Sequence, residues 1–134
     1  MGAEVTICDL EDRKLDFAKW RYETRGLRVE AIPVSKVDEV PALEKSSYDM
    51  VIVAEVFEHV PDPLQCLEAL THSLRSGGML FDSMGGDFDR KLGGDHLKEA
   101  LDIGNSEEYQ SFHRNNYVQL NHSRRTNYLF QYTG

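Results

Sequence analysis

The chain has 134 residues, of which 40% are hydrophobic and 28% are charged, and its formal net charge is −8. This length fits one ordinary domain with one core, and the composition fits a folded globular protein rather than a disordered one. The acidic balance argues against a nucleic-acid partner, because phosphate backbones are bound by basic surfaces. No apolar run approaches the roughly 20 residues that span a bilayer, and the N-terminus lacks a basic signal region. We therefore expect a cytoplasmic protein with a single domain over residues 1–134 and no membrane partner.

The two cysteines, Cys8 and Cys66, lie in a predicted strand and a predicted helix. Two free, mostly buried thiols in a reducing compartment are the expected state, and a disulfide between them is the alternative.

Strands and helices alternate through the first two thirds of the chain. Residues 3–8 read as a strand that ends at Asp9, and a helix with acidic residues in its first turn follows and stops near Gly26. Residues 28–32 alternate like a second strand. Residues 50–54 are an unbroken apolar run, which is typical of a strand buried on both faces of a parallel sheet.

The helix after this third strand has the clearest boundaries in the sequence. Asp62 is a predicted N-cap, Pro63 occupies the first helical position, and Gln65 completes a capping box. An apolar stripe at helical spacing gives this helix its core face, and its members are Leu64, Leu67, Leu70 and Leu74. The pair Gly77-Gly78 is expected to end the helix before a fourth strand at residues 79–81.

The C-terminal third contains a glycine-rich loop, two short helical patterns and a hairpin. The hairpin is predicted from two β-like runs, residues 117–120 and 128–132, that flank a polar turn. The whole pattern predicts an α/β domain whose sheet is mostly parallel, with helices on both faces and an antiparallel hairpin at its C-terminal end.

Three segments together resemble the class I S-adenosylmethionine-dependent methyltransferases: GAEVTICDL, YDMVIVAEVFEHVPDP and LRSGGMLFDS. Within that class the chain resembles the type 11 and ubiquinone-pathway O-methyltransferases. The resemblance implies a Rossmann-like fold, S-adenosylmethionine as cofactor, and methyl transfer to a small-molecule acceptor.

The chain departs from the family at its start. The family's first strand carries a glycine-rich D-x-G-x-G-x-G turn, and no such motif precedes residues 2–10. We therefore expect that the first central strand is missing and that the domain is truncated. The strands left without a neighbour then either pair directly or pair with another copy, which makes a homo-oligomer possible. A non-catalytic α/β remnant that acts through protein contacts is the alternative function.

The resemblance assigns three residues to the cofactor. Asp9 matches the acid that accepts hydrogen bonds from the ribose hydroxyls, although an aspartate here can equally cap the next helix, and nicotinamide-binding folds use an acid in the same place. Leu10 would lie against the adenine, or it packs in the core. The backbone of Ala54 would meet the methionine end of the cofactor.

Glu55, Glu58 and His59 form an E-x-x-E-H pattern after the third strand. In similar ubiquinone-pathway enzymes such a trio is associated with a divalent metal, and two carboxylates with an imidazole suit Mg²⁺ or Zn²⁺. Alternatively, His59 is a general base for the substrate hydroxyl, with Glu55 as a second catalytic residue. The third possibility is that Glu58 and His59 only brace the loop before the next helix.

The remaining histidines show no ligand spacing and are expected at the surface: His72, His96, His113 and His122. A set of aromatic residues either lines an acceptor pocket or belongs to the core, namely Tyr109, Phe112 and Tyr117.

Overall fold

A computed structural model of the chain describes residues 2–83, 96–121 and 128–134. Most of the predicted glycine-rich loop, and His122 in the hairpin turn, lie outside these residues. The chain divides into two compact units, Met1–Pro41 and Ala42–Gly134, and each is described by itself. The single domain expected for residues 1–134 stays a prediction.

The first unit is a β-α-β element. Strand β1 (Thr6–Leu10) and strand β2 (Glu30–Val34) are parallel, and helix α1 (Arg13–Glu23) connects them. The side chain of Asp12 caps this helix by accepting a hydrogen bond from the Lys14 N–H at 2.6 Å. Gly26 has a φ of 67°, a left-handed conformation that favours glycine, and it turns the chain towards β2.

The described residues of the second unit form a four-stranded sheet with three α-helices. Its elements in chain order are β3 (Tyr48–Val53), a 3₁₀ turn (Phe57–His59), α2 (Pro63–Ser73), β4 (Leu74–Asp82), α3 (Lys98–Gly104), α4 (Glu107–Asn116), β5 (Tyr117–Gln119) and β6 (Tyr128–Tyr132). The strand order is β3-β4-β6-β5. Strands β3 and β4 are parallel, whereas β6 is antiparallel to both β4 and β5, as predicted for the closing hairpin.

Helix α2 begins as the sequence predicts and ends earlier than predicted. The Asp62 carboxylate accepts a hydrogen bond from the Gln65 N–H at 2.9 Å, which confirms the cap. The helix stops at Ser73, because Leu74 is extended and buries its side chain in the core as the first residue of β4. Gly77, with a φ of 76°, and Gly78 therefore bend a strand and do not end a helix. A Cβ on Gly78 would lie 2.8 Å from the Arg75 carbonyl oxygen.

The sheet of the second unit has one covered face and one open face. Val53, Leu80 and Phe130 point towards helices α2, α3 and α4 and share one core with their buried side chains. Side chains of the opposite face include Met50, which is 41% exposed, and Ile52, which is 67% exposed. The second layer of helices predicted for the sheet is thus not found among the described residues of this unit.

Two further expectations concern the pairing of the strands and the location of the protein. Among the described residues, β1 pairs only with β2, and β3 has β4 as its single paired neighbour. The missing central strand stays a prediction. No helix within the described ranges is long and apolar enough to cross a bilayer, and the expected cytoplasmic location stays a prediction.

Neither Cys8 nor Cys66 forms a disulfide bond, which agrees with the thiol state preferred from the sequence. Cys8 is exposed rather than buried, because the second half of β1 lies at the surface, and Cys66 is half-buried. Partial burial of its sulfur, together with the carboxylates of Asp9 and Glu39, raises the pKa of the Cys8 thiol.

Candidate functional site

Asp9 and Leu10 occupy the carboxyl end of β1, the end of a parallel strand at which ligands bind in open α/β sheets. The Asp9 carboxylate is exposed and accepts a hydrogen bond from the Leu10 N–H at 2.8 Å. Asp12 caps α1, so the alternative role of Asp9 as that helix cap is wrong. Leu10 is 39% exposed, so it does not pack in the core either. Both side chains are therefore accessible to a ligand.

Ala54 and Glu55 form the tip of β3, at the corresponding end of the second unit's parallel strands. Both residues are exposed, and Glu55 has a φ of 55°, in the left-handed region that non-glycine residues rarely adopt. Ser83, the residue after β4, faces this tip. Its Oγ accepts a hydrogen bond from the Glu55 N–H at 2.8 Å, and its own N–H donates to the Val53 carbonyl at 3.0 Å.

Glu58 and His59 lie in the 3₁₀ turn that follows the tip of β3, and His96 lies beside them. The Leu97 N–H donates to the Glu58 carbonyl at 2.9 Å, which ties the segment before α3 to this turn. The rings of His59 and His96 meet edge to face with 5.4 Å between centroids. One ligand atom from each of Glu58, His59 and His96 lies within 4.8 Å of the others. Glu55, the third member of the predicted trio, is not in this cluster.

Glu58 is the only acidic residue of this cluster. It is fully buried, and among the described residues neither carboxylate oxygen has a hydrogen-bond partner. The Nδ1 atom of His96 is likewise buried without a partner there. A buried carboxylate is costly unless a cation or a hydrogen-bond donor compensates it. The ligand atoms of this cluster are therefore suited to hold a divalent cation.

His96 is the residue that the sequence interpretation missed. It is half-buried against His59, not at the surface as expected. A distance of 37 positions separates it from His59, so no local spacing could reveal the pair. The available signal was its place just before a helical pattern that follows a strand, because such a segment returns to the same edge of the sheet.

His113 is also wrongly expected at the surface, whereas His72 is exposed as expected. His113 is 8% exposed and lies between aromatic rings, with its ring centroid 4.2 Å from that of Phe130 and 5.1 Å from that of Tyr117. Burial lowers the pKa of His113 to about 4. This histidine is therefore a neutral core residue and not a site residue.

The aromatic residues of the C-terminal third belong to the core, which was one of the two alternatives. Tyr109 is fully buried, Tyr117 is 6% exposed, and Phe112 packs against the same cluster. The hydroxyls of Thr71 and Tyr117 are hydrogen-bonded at 2.6 Å, and burial raises the pKa of Tyr117 to about 12. These rings stabilise the covered face of the sheet.

A family model described as "Methyltransferase domain" matches residues 1–80, which is more than half of the chain. The chain belongs to the methyltransferase domain family. This membership confirms the family inferred from the three sequence segments. The match includes both strand tips described above, with Asp9 in one and Ala54 in the other.

Curated relatives of this methyltransferase domain include two ubiquinone biosynthesis O-methyltransferases. The one from Saccharophagus degradans is 38% identical over 82 residues, which cover 61% of this chain and 34% of the relative. The one from Bordetella pertussis is 36% identical over 84 residues, with the same two coverages. The chain thus spans about a third of the length of the curated relatives that it matches.

Solved structures with the same fold cover nearly all of the methyltransferase domain. A SAM-dependent methyltransferase from Methanosarcina mazei superposes with a TM-score of 0.62 at 14% identity, covering 97% of this chain and 82% of its own. The N-methyltransferase NodS from Bradyrhizobium japonicum, in complex with S-adenosyl-L-homocysteine, gives a TM-score of 0.61 at 14% identity and covers 98% and 67%. The predicted Rossmann-like α/β fold is confirmed.

Proposed function

We propose that the protein transfers a methyl group from S-adenosylmethionine to a small-molecule acceptor. The observation that carries this proposal is the family match over residues 1–80. The exposed end of β1 supports it, because the Asp9 carboxylate is not used as a helix cap and is open to solvent. Membership of the family also favours S-adenosylmethionine as the cofactor.

Three residues are proposed for the donor. The two carboxylate oxygens of Asp9 suit the vicinal hydroxyls of a ribose, since each oxygen has two acceptor lone pairs and the Leu10 N–H uses only one of those on Oδ1. The exposed side chain of Leu10 offers an apolar surface to the adenine ring. In the second unit, the backbone of Ala54 is proposed to meet the methionine end of the donor.

The acceptor is proposed to be a small molecule that presents a hydroxyl group. The curated relatives are named as O-methyltransferases, and the acidic chain is a poor partner for nucleic acid. In the reaction, the acceptor oxygen attacks the methyl carbon, the carbon–sulfur bond of the sulfonium breaks, and S-adenosylhomocysteine leaves. The acceptor's proton passes to His59, with Glu55 as the second proposed catalytic side chain. The protein contributes mainly proximity and alignment.

Transfer of a labelled methyl group tests this proposal. The protein is incubated with methyl-labelled S-adenosylmethionine and a panel of catechols and hydroxybenzoates, with aromatic amines as the comparison. We expect labelled ethers from at least one phenolic acceptor. No label in any phenol, with the donor recovered intact, would contradict the proposed reaction.

A divalent cation at Glu58, His59 and His96 is a second proposed role for the same cluster. The carboxylate oxygens of Glu58, which are buried without a hydrogen-bond partner among the described residues, favour it. The ligand set differs from the expected Glu55, Glu58 and His59, since His96 and not Glu55 joins the other two.

Metal addition should therefore stabilise the fold through this cluster. We expect Zn²⁺ or Mg²⁺ to raise the thermal unfolding midpoint, because a ligand that binds only the folded state stabilises it by mass action. Glu58→Gln should abolish the increase, and Glu99→Gln, at an exposed acid on α3, should keep it. The metal role is refuted when the midpoint does not respond, or when Glu58→Gln responds as the unaltered chain does.

Association with a second copy is favoured by the open sheet face and by the β3 edge, for which the described residues supply no partner. This is the proposed form of the alternative, non-catalytic function. Sedimentation velocity tests it: concentration-dependent dimers are expected, and a monomer at high concentration is the contrary result.

A further inference from the structure

Ser83 makes the last hydrogen bonds between β4 and the tip of β3, and one of them uses its side chain. In the parallel ladder, Val53 is the partner of Asp82, and the Ser83 N–H donates to the Val53 carbonyl at 3.0 Å. The next donor along β3 is the Glu55 N–H, and it meets the Ser83 hydroxyl at 2.8 Å instead of a backbone carbonyl. Ser83 is therefore hydrogen-bonded to the residues on both sides of Ala54, namely Val53 and Glu55.

Glu55 needs such a constraint because its backbone is strained. Its φ of 55° lies in the left-handed region, which is unfavourable for an L-residue because its Cβ comes too close to the following carbonyl oxygen. A conformation of this kind persists only where surrounding contacts hold it, and such residues cluster at functional sites. The hydrogen bond to Ser83, which is only 5% exposed, is one contact that holds it.

We propose that Ser83 is a positioning residue, which fixes the left-handed turn at Glu55 and thereby presents the Ala54 backbone to the methyl donor. The assignment of Ala54 to the donor rests on the proposed function. Ser83 itself does not touch the donor in this account. It acts through the backbone of residues 53–55, so its effect depends on the conformational preference of residue 55.

The backbone effect is measured first, in the free protein. Ser83→Ala removes the acceptor of the Glu55 N–H, and we expect that amide to exchange with deuterium at least about fivefold faster, because its local opening becomes easier. Ser83→Thr keeps a hydroxyl and should keep the slow exchange. An unchanged rate in Ser83→Ala overturns the proposal, whether or not the protein binds the donor.

The link to binding is measured by calorimetric titration with S-adenosylhomocysteine. Ser83→Ala should weaken binding by about tenfold, which lies near the upper end of the range for one lost hydrogen bond. Ser83→Thr should stay within about twofold of the unaltered chain, since its hydroxyl is retained. Ser76→Ala, at an exposed serine of β4, is the matched control and should bind as the unaltered chain does.

A double-mutant cycle separates positioning from direct contact. Glycine adopts positive φ without a steric penalty, so Glu55→Gly makes the turn independent of Ser83. In the unaltered chain, Ser83→Ala should lower the affinity about tenfold. In the Glu55→Gly variant, the same substitution should lower it less than about twofold. Equal costs in both backgrounds overturn the proposal. If the unaltered chain does not bind, the proposed donor role fails, and the amide exchange alone decides the role of Ser83.

Discussion

Replacing His59 with alanine lowers the rate of methyl transfer to a phenolic acceptor by about 10²- to 10⁴-fold, which is the usual contribution of a general base. His59 lies one turn beyond the tip of β3, where the donor is proposed to meet the acceptor. Its neighbour Glu58 is buried, and one carboxylate oxygen of Glu58 lies within 4.8 Å of a ring nitrogen of His59.

The pH profile distinguishes this role from bracing of the loop. In the unaltered protein, kcat should rise with pH in one step, because a general base accepts a proton only in its unprotonated form, and the residual activity of His59→Ala should lack that step. His72→Ala, at an exposed histidine of α2, is the control and should keep both the rate and the profile. If His59 only braced the loop, the variant would lose stability and activity together while keeping the step in its profile.

Lowering the pH should destabilise the fold through His113, and this loss of stability is the second largest effect that we expect. Burial lowers the pKa of His113 to about 4 in the folded protein, from an ordinary value near 6.5. The unfolded chain therefore takes up this proton first. The contribution of neutral His113 to the free energy of unfolding is complete above about pH 6.5, and it is lost as the pH falls towards 4. The neighbouring Tyr109 and Tyr117 stay neutral throughout this range, because burial raises the pKa of both.

Urea denaturation at several pH values from 7.5 to about 4.5 measures this loss. A fully developed shift of this size corresponds to about 3 kcal/mol in the free energy of unfolding. His113→Phe should remove that part of the pH dependence, since phenylalanine carries no proton into the aromatic cluster. His72→Gln should leave it unchanged. Parallel pH curves for the unaltered protein and His113→Phe would show that His113 is not responsible.

Local signals in the sequence predicted the elements that local physics determines. The Asp62 cap, the strand of the apolar run 50–54 and the C-terminal hairpin each depend on residues near one another in the chain, and each was found. The burial of that strand on both faces was wrong, because the face that carries Met50 and Ile52 is exposed. The predicted end of α2 was wrong, because Leu74, the last residue of the apolar stripe, reaches the core equally well as part of a strand. Helical spacing does not distinguish the two placements.

The candidate site was predictable only in part, for a related reason. Asp9, Ala54 and the E-x-x-E-H pattern follow strands directly, so the topology places them at strand ends. His96 and Ser83 reach the tip of β3 from segments far along the chain, and no spacing in one sequence encodes such contacts. No glycine marks the left-handed turn in the sequence, because Glu55 occupies that position and the Ser83 hydroxyl helps to hold its strained backbone.

The most direct test of the account is calorimetric titration of the protein with S-adenosylhomocysteine, compared with Asp9→Asn. We predict saturable binding in the micromolar range, weakened about tenfold or more in Asp9→Asn, which loses the charge that strengthens hydrogen bonds to ribose hydroxyls. Asp38→Asn, at another exposed acid of the first unit, should bind as the unaltered chain does. Absence of saturable binding up to millimolar concentration, or equal affinity in Asp9→Asn, would contradict the proposed donor site.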